Sequence, residues 1–126
     1  MTRTPIHTDK APAAVGPYSQ AIATGSLLFT SGTIPLDPKT GKIPEGSIED
    51  HAHLVFRNLS ALAEAGGTSL AKAVKITVFL TDIANFQRVN AVYAQYFSQP
   101  FPARSAVQVA ALPLDAALEV EAIIAL

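Results

Sequence analysis

The chain has 126 residues, a length typical of one domain, and its 49% hydrophobic content excludes intrinsic disorder. Only 15% of the residues are charged, which leaves few charges to cover a small monomer, so we expect some surface to be buried in an oligomer. Nine basic and ten acidic residues without a basic stripe argue against a nucleic-acid or membrane-surface protein, and the lack of cysteine excludes disulfides and thiolate chemistry.

The N-terminal segment, residues 1–12, is polar and interrupted by prolines, and it predicts a flexible lead-in to a single domain spanning residues 1–126. It has no apolar run that could serve as a signal sequence. No stretch of the chain approaches the roughly 18 apolar residues of a membrane span. We therefore expect a cytoplasmic protein with no membrane partner.

Two strands and a helix are predicted next. The strands, Tyr18–Ala23 and Leu27–Ser31, are separated by three residues that suit a hairpin. A loop rich in proline follows at residues 34–46. Ser47 and Asp50 resemble a capping box, and apolar residues at helical spacing predict a helix from Ile48 to Ala65, which Gly66-Gly67 ends.

The second half of the chain predicts one more helix between strands. Ala73–Thr81 is rich in β-branched residues and alternates in hydrophobicity, so we expect a central strand. Helical spacing predicts a helix over Asn85–Phe97, and two strands follow, Arg104–Ala110 and Leu118–Ala125. The order ββαβαββ indicates an α+β domain whose two helices cover one face of a sheet, which leaves the other face to be covered elsewhere.

Arg104 and Glu119 are the strongest candidates for substrate binding and catalysis. A stiff Phe101-Pro102-Ala103 segment precedes Arg104, whose planar guanidinium can bind a carboxylate through two hydrogen bonds. A surface or interface salt bridge to Glu119 or Glu121 is the alternative. Apolar neighbours predict burial of these two glutamates, and a buried carboxylate needs a polar partner or has a raised pKa. Exposure to solvent on an edge strand is the alternative.

Other polar positions carry weaker signals. Ser31-Gly32 offers a hydroxyl and backbone N–H groups for an anion, although a simple turn is the alternative. His51 and His53 point roughly 200° apart on a helix and cannot hold one metal, so we expect solvated histidines and no metal site. Neither a nucleophile elbow nor a phosphate-binding glycine loop occurs, so no cofactor is expected.

Several spaced blocks of sequence resemble the RidA family of reactive-intermediate imine deaminases, and the likeness extends from Ala11 to the C-terminus. The blocks are Gly16-Pro17-Tyr18-Ser19-Gln20-Ala21, Phe29-Thr30-Ser31-Gly32-Thr33-Ile34-Pro35, Asn58, Val74 to Asp82, Phe86 with Val89-Asn90-Ala91-Val92-Tyr93, Phe101-Pro102-Ala103-Arg104-Ser105 and Val120-Glu121-Ala122-Ile123.

The resemblance implies a chorismate-mutase-like fold with a mixed sheet, assembled as a homotrimer whose sheets close a central barrel. It also implies hydrolysis of 2-imino acids such as the tautomer of 2-aminoacrylate to a 2-keto acid and ammonia, without a cofactor. A non-catalytic trimer that binds small carboxylates is the alternative function. RNA cleavage is attached to some relatives, but the charge pattern argues against it here.

The resemblance also assigns roles by position. Arg104 matches the arginine that binds the substrate carboxylate, and Glu119 matches the acid that positions the attacking water. The pocket, which in the family lies between subunits, is lined at positions matching Tyr18, Ser31, Gly32 and Asn90. Ala106 stands where known members have cysteine or a hydroxyl residue, so its backbone N–H is the group expected to face the ligand.

Overall fold

The computed structural model describes residues 2–126 as one sheet with two α-helices. β4 and β6 are the longest strands and α1 the longest helix. The elements are β1 (Thr4–Ile6), β2 (Ala21–Thr24), β3 (Leu27–Thr30), α1 (Ile48–Ala65), β4 (Ala73–Leu80), α2 (Phe86–Tyr93), β5 (Ala103–Gln108) and β6 (Leu118–Ala125).

The six strands form a mixed sheet in the order β1-β2-β3-β6-β4-β5. The pair β4–β5 is parallel, because the chain crosses over through α2 between them, and the other pairs are antiparallel. β4 lies between β6 and β5, which confirms the predicted central strand. The predicted α+β class and mixed sheet are confirmed as well.

Both helices pack on the same face of the sheet. α1 has the predicted boundaries, and the Ser47–Asp50 capping box satisfies two backbone N–H groups at its start. Its apolar stripe packs on alternate strand residues such as Ile76 and Val120, which are fully buried. In residues 2–126, neither helix combines the length and apolarity that crossing a membrane requires.

The other face of the sheet carries no helix in the described chain. Phe29 and Val107, which belong to the alternate set of strand residues, are 39% and 43% exposed. Large apolar side chains at this exposure are unfavourable in water, so the face agrees with the expected burial in an oligomer.

The lead-in is more ordered than predicted. Residues 4–6 form β1, which pairs antiparallel with β2, so the element order is βββαβαββ. The buried Gln20 side chain holds this segment: its Oε1 accepts from the Thr8 N–H at 2.9 Å, and its Nε2 donates to the carbonyls of Thr8 and Pro12. A polar segment without periodicity gave no sign of these long-range bonds.

The first predicted strand and the second predicted helix differ most from the structure. The predicted strand begins at Tyr18, but residues 16–18 form a bend before β2, in which the Tyr18 N–H donates to the Gly16 carbonyl. α2 ends at Tyr93, whereas the helix was predicted to reach Phe97. Beyond Tyr93 the hydrogen bonds tighten from four to three residues apart, as helix ends often do, and the apolar spacing continues through these turns.

Candidate active site

A bulge between β3 and β6 builds one part of the site. The Thr30 hydroxyl accepts from the Ala122 N–H at 3.0 Å, and Thr33 exchanges two backbone hydrogen bonds with Val120. Ser31 and Gly32 therefore lie opposite the single residue Glu121 on β6. A bulge of this kind bends the strand and redirects nearby side chains, which fits its position beside a site.

Gly32 lies directly against the Glu119 carboxyl group. A Cβ atom at residue 32 would stand 2.7 Å from Cδ of Glu119 and 2.9 Å from its Oε2. Only glycine leaves room for the carboxyl group in this place. Glycine is therefore required at position 32 because the bulge brings its backbone against the Glu119 carboxyl. The Ser31-Gly32 motif alone did not indicate this contact.

Glu119 faces a cavity of about 640 Å³ whose wall also includes Tyr18, Ser31 and Gly32. The Ser31 hydroxyl donates to the Ser19 carbonyl at 2.6 Å, which leaves its oxygen able to accept from a ligand. Tyr18 is half exposed at the rim. Most of the remaining wall is apolar and includes Pro12, Val15, Ile34, Leu36, Phe79 and Leu114.

The environment of Glu119 disfavours its charge. Burial raises the pKa of the Glu119 carboxyl, and the negative charge of Glu121, two residues along the same strand face, raises it further. β6 lies inside the sheet, so neither glutamate lies on an edge strand. Glu119 is partly buried as predicted, whereas Glu121 is exposed within the described chain, so its predicted burial is wrong there. A carboxylate whose pKa is raised is a stronger base than an ordinary carboxylate, which suits proton transfer from water.

Arg104 belongs to a different part of the molecule, on the edge strand β5. Its guanidinium lies over the rings of Phe86 and Tyr93 in α2, and its Nη1 donates to Oδ1 of Asn90 at 2.6 Å. Ala106, two residues along, is half-buried against the core. In residues 2–126 Arg104 forms no ion pair with Glu119 or Glu121, so the salt-bridge alternative is wrong within one chain.

Arg104 and Glu119 point to opposite faces of the sheet. Arg104 is paired with Ile76, whose side chain is buried beneath the helices, whereas Glu119 is paired with Phe79 on the other face. Residues paired across neighbouring strands share a face, so the two charged groups are separated by the sheet itself. Of the other candidate site residues, Asn90 and Ala106 lie on the same side of the sheet as Arg104. The same side as Glu119 holds Tyr18, Ser31 and Gly32.

The histidines were expected to be solvated, and the structure gives them partners. His51 Nε2 lies 2.7 Å from the Pro44 carbonyl, and His53 Nδ1 lies 2.8 Å from the Tyr96 hydroxyl. Both bonds fasten neighbouring segments to α1. Within the described chain no group of three or more His, Cys, Asp or Glu side chains is arranged to hold a metal ion.

Sequence reasoning missed three residues that shape the site. Gln20 orders the segment that forms one cavity wall, and Phe86 and Tyr93 contact Arg104. The sequence named all three only within the blocks of the family resemblance, without a role in the site. The spacing of the two aromatic residues places them with Asn90 on one helix face, which was a usable signal, but pairing that face with β5 required the tertiary structure.

Comparison with known proteins identifies the family of this chain. A model described as Endoribonuclease L-PSP matches residues 8–126. The chain belongs to this family. Reactive Intermediate Deaminase A, a chloroplastic protein of Arabidopsis thaliana, is 49% identical over 118 residues, which are 94% of this chain and 63% of that protein. The resemblance to the RidA family is therefore confirmed.

Solved structures of the family agree with the fold. RidA from the Antarctic bacterium Psychrobacter superposes with a TM-score of 0.94 at 47% identity, covering 98% of this chain and all of that one (100%). TdcF of E. coli, solved with bound serine, has a TM-score of 0.92 at 44% identity and 98% coverage of both chains. The L-PSP family thus includes proteins named as deaminases as well as endoribonucleases.

Proposed function

We propose that this chain is a deaminase that hydrolyses reactive 2-imino acids to 2-keto acids and ammonia. The observation that carries the proposal is Glu119, a half-buried carboxyl with a raised pKa that faces a largely apolar cavity. Family membership supports it, since relatives of high identity are named reactive intermediate deaminases. The bound serine of TdcF, which has a carboxylate and an amino group, belongs to the same chemical class as the proposed ligand.

Arg104 binds the substrate carboxylate in this proposal. Its Nη1 is bonded to Asn90, and the rest of the guanidinium edge remains available for two parallel hydrogen bonds. A charge-assisted pair of this kind contributes about 1.5–3 kcal/mol. Its main effect is orientation, because a bidentate grip fixes the plane in which the imine carbon lies.

Glu119 acts on the water. The substrate reacts as the protonated imine: as the water oxygen bonds to its carbon, the Glu119 carboxylate takes one water proton, which gives a neutral carbinolamine. Glu119 then returns that proton to the nitrogen. The C–N bond breaks as the carbinolamine hydroxyl gives its proton to Glu119 and becomes the carbonyl, and ammonia leaves and carries this last proton away as ammonium. A raised pKa suits the first step, because it makes the Glu119 carboxylate a stronger base toward the water.

The complete site requires two copies of the chain. Arg104 and Glu119 lie on opposite faces of one sheet, so we propose that Arg104 of one protomer meets Glu119 of its neighbour in a homotrimer. The partly exposed Phe29 and Val107 support the assembly, since a trimer would bury that face. Light scattering at micromolar concentration should give three times the chain mass. A monomer at that concentration would overturn the proposal.

The preferred substrates are 2-iminopropanoate and 2-iminobutanoate. Both carry a carboxylate and a small apolar side chain, which the apolar wall of the cavity accommodates. Ala106 offers no side-chain hydrogen bond, so only its backbone N–H can contact such a ligand. Metal ions and cofactors have no role in this scheme.

The direct experiment generates 2-aminoacrylate in solution and follows the decay of its imine with and without the protein. We expect faster decay with stoichiometric release of pyruvate and ammonia. Unchanged decay together with saturable binding of pyruvate would favour the alternative, a trimer that binds carboxylates without catalysis.

Mixed trimers test the shared site. Arg104→Ala and Glu119→Gln chains are each expected to be inactive. Unfolded together at equal amounts and refolded, they should recover about a quarter of the parent activity, because one site in four combines both intact residues. No recovery, with mixed trimers verified by mass, would show that both residues act from one chain.

A further inference from the structure

Three side chains of α2 form a cradle around Arg104. Phe86, Asn90 and Tyr93 lie four and three residues apart, a spacing that places them on one helix face. The guanidinium carbon lies 5.1 Å from the centroid of the Phe86 ring and 4.7 Å from that of Tyr93. Both distances are within the range of a cation–π interaction, so the rings hold the plane of the guanidinium while Asn90 holds one of its N–H groups.

The hydroxyl of Tyr93 has no partner within the described chain. Tyr93 is only 5% exposed, and its oxygen is buried without a hydrogen bond among residues 2–126. Leaving a buried hydroxyl unsatisfied is unfavourable, and phenylalanine would avoid it with the same ring. Burial raises the pKa of this hydroxyl, and the Arg104 guanidinium opposes the rise, so Arg104 is the charged group that acts on it.

We propose that Tyr93 is a positioning residue for Arg104, whose ring supports the guanidinium and whose hydroxyl accepts a guanidinium N–H when a carboxylate is bound. The inference rests on the proposed function in one respect, that Arg104 binds a carboxylate.

The hydrogen-bond inventory makes this arrangement possible. Arginine has five N–H donors, and Asn90 uses one of them. A carboxylate takes two donors from one edge, which leaves the opposite side of the fork free to donate to the phenol oxygen. Tyr93 would then fix the angle at which that edge is presented, and the unsatisfied hydroxyl would be satisfied only in the ligand-bound protein.

The test is Tyr93→Phe, which keeps the ring and removes the hydroxyl. We expect the Kd for pyruvate, measured by calorimetry, to rise about fivefold, as the loss of one hydrogen bond predicts. The KM for the imine should rise with it, while kcat changes less. The unfolding temperature should stay the same or increase, because an unsatisfied buried hydroxyl has been removed.

Tyr96→Phe is the matched control. It removes a phenol hydroxyl from the same aromatic cluster, but one bonded to His53 and not facing Arg104. We expect this variant to lose some stability and to bind pyruvate as the parent does. A second control places Tyr93→Phe in the Arg104→Ala background, where the substitution should have no effect on the remaining binding.

The outcomes separate the inference from the function on which it rests. An unchanged Kd in Tyr93→Phe, with the parent binding pyruvate and Arg104→Ala binding it measurably more weakly, would overturn the role of Tyr93 alone. A parent protein that binds no 2-keto acid would overturn both. Equal weakening by Tyr93→Phe with and without Arg104 would show that Tyr93 acts through the core and not through the guanidinium.

Discussion

The surroundings of Glu119 and of Arg104 have opposite effects on the charged forms of these two side chains. Glu119 lies on an inner strand, pressed against Gly32 and close to Glu121, and its pKa is raised because burial disfavours the ionised form. Arg104 lies on the edge strand, exposed, with two aromatic rings beneath it and an amide oxygen beside it. The surroundings of Glu119 favour its neutral form, whereas those of Arg104 keep the guanidinium charged and fix its orientation.

This difference matches the two tasks of an imine hydrolase. A group that transfers protons works best when neither of its protonation states is strongly favoured, whereas a group that orients a carboxylate must remain charged and rigid. Within one protomer the sheet separates the two regions, so each environment forms independently and the two groups meet only between protomers in the proposed trimer.

Glu119→Gln should give the largest effect. The amide keeps the shape of the side chain but cannot accept the proton, so kcat for imine hydrolysis should fall about 10²–10⁴-fold. Pyruvate binding at Arg104 should be retained, which calorimetry can measure. Equal turnover in the variant and the parent would make Glu119 structural, and Glu121 would be the next residue to replace.

Arg104→Lys should lower kcat/KM for the imine about a hundredfold, although the charge is kept. An ammonium group cannot reproduce the planar two-bond grip, and it stacks less well on the rings of Phe86 and Tyr93. Arg88→Lys is the matched control, because Arg88 pairs with Glu49 at the surface away from the site. Near-normal kcat/KM in Arg104→Lys, with the trimer intact, would refute the anchoring role.

Gly32→Ala should separate activity from stability. The new methyl group would displace the carboxyl of Glu119, and kcat should fall about tenfold because the water is held in the wrong place. The unfolding temperature should change little, since the displaced group is the end of a flexible side chain. In a Glu119→Gln background the same substitution should cause no further loss of kcat, and an additive loss would contradict this account.

Glu121→Gln should produce the smallest change, a shift in pH dependence. Removing the neighbouring negative charge should lower the pKa of Glu119, so the acid limb of the kcat profile should move to lower pH. For stability, a raised carboxyl pKa favours the folded protein at low pH and loses that contribution as pH rises through the folded-state value. Glu121→Gln should reduce this dependence, and Glu64→Gln, at an exposed position on α1, should not.

The sequence by itself determined the elements whose signals are local. The capping residues and apolar spacing of α1 predicted both of its ends, and the alternation in β4 predicted a central strand. These patterns depend on the periods of the helix and the strand, which are properties of neighbouring residues. The sequence left open whether β6 is an inner or an edge strand. The motifs around Arg104 and Glu119 likewise identified the candidate residues through family resemblance.

Only the tertiary structure decided how those residues are arranged. The bonds of Gln20 to Thr8 and Pro12, the closeness of Gly32 to Glu119 and the contact of Tyr93 with Arg104 join residues at least eight positions apart along the chain. The placement of Arg104 and Glu119 on opposite faces depends on strand register, which a one-residue slip would reverse. Local patterns contain no information about such pairings, because the pairings arise when the whole sheet and its helices pack together.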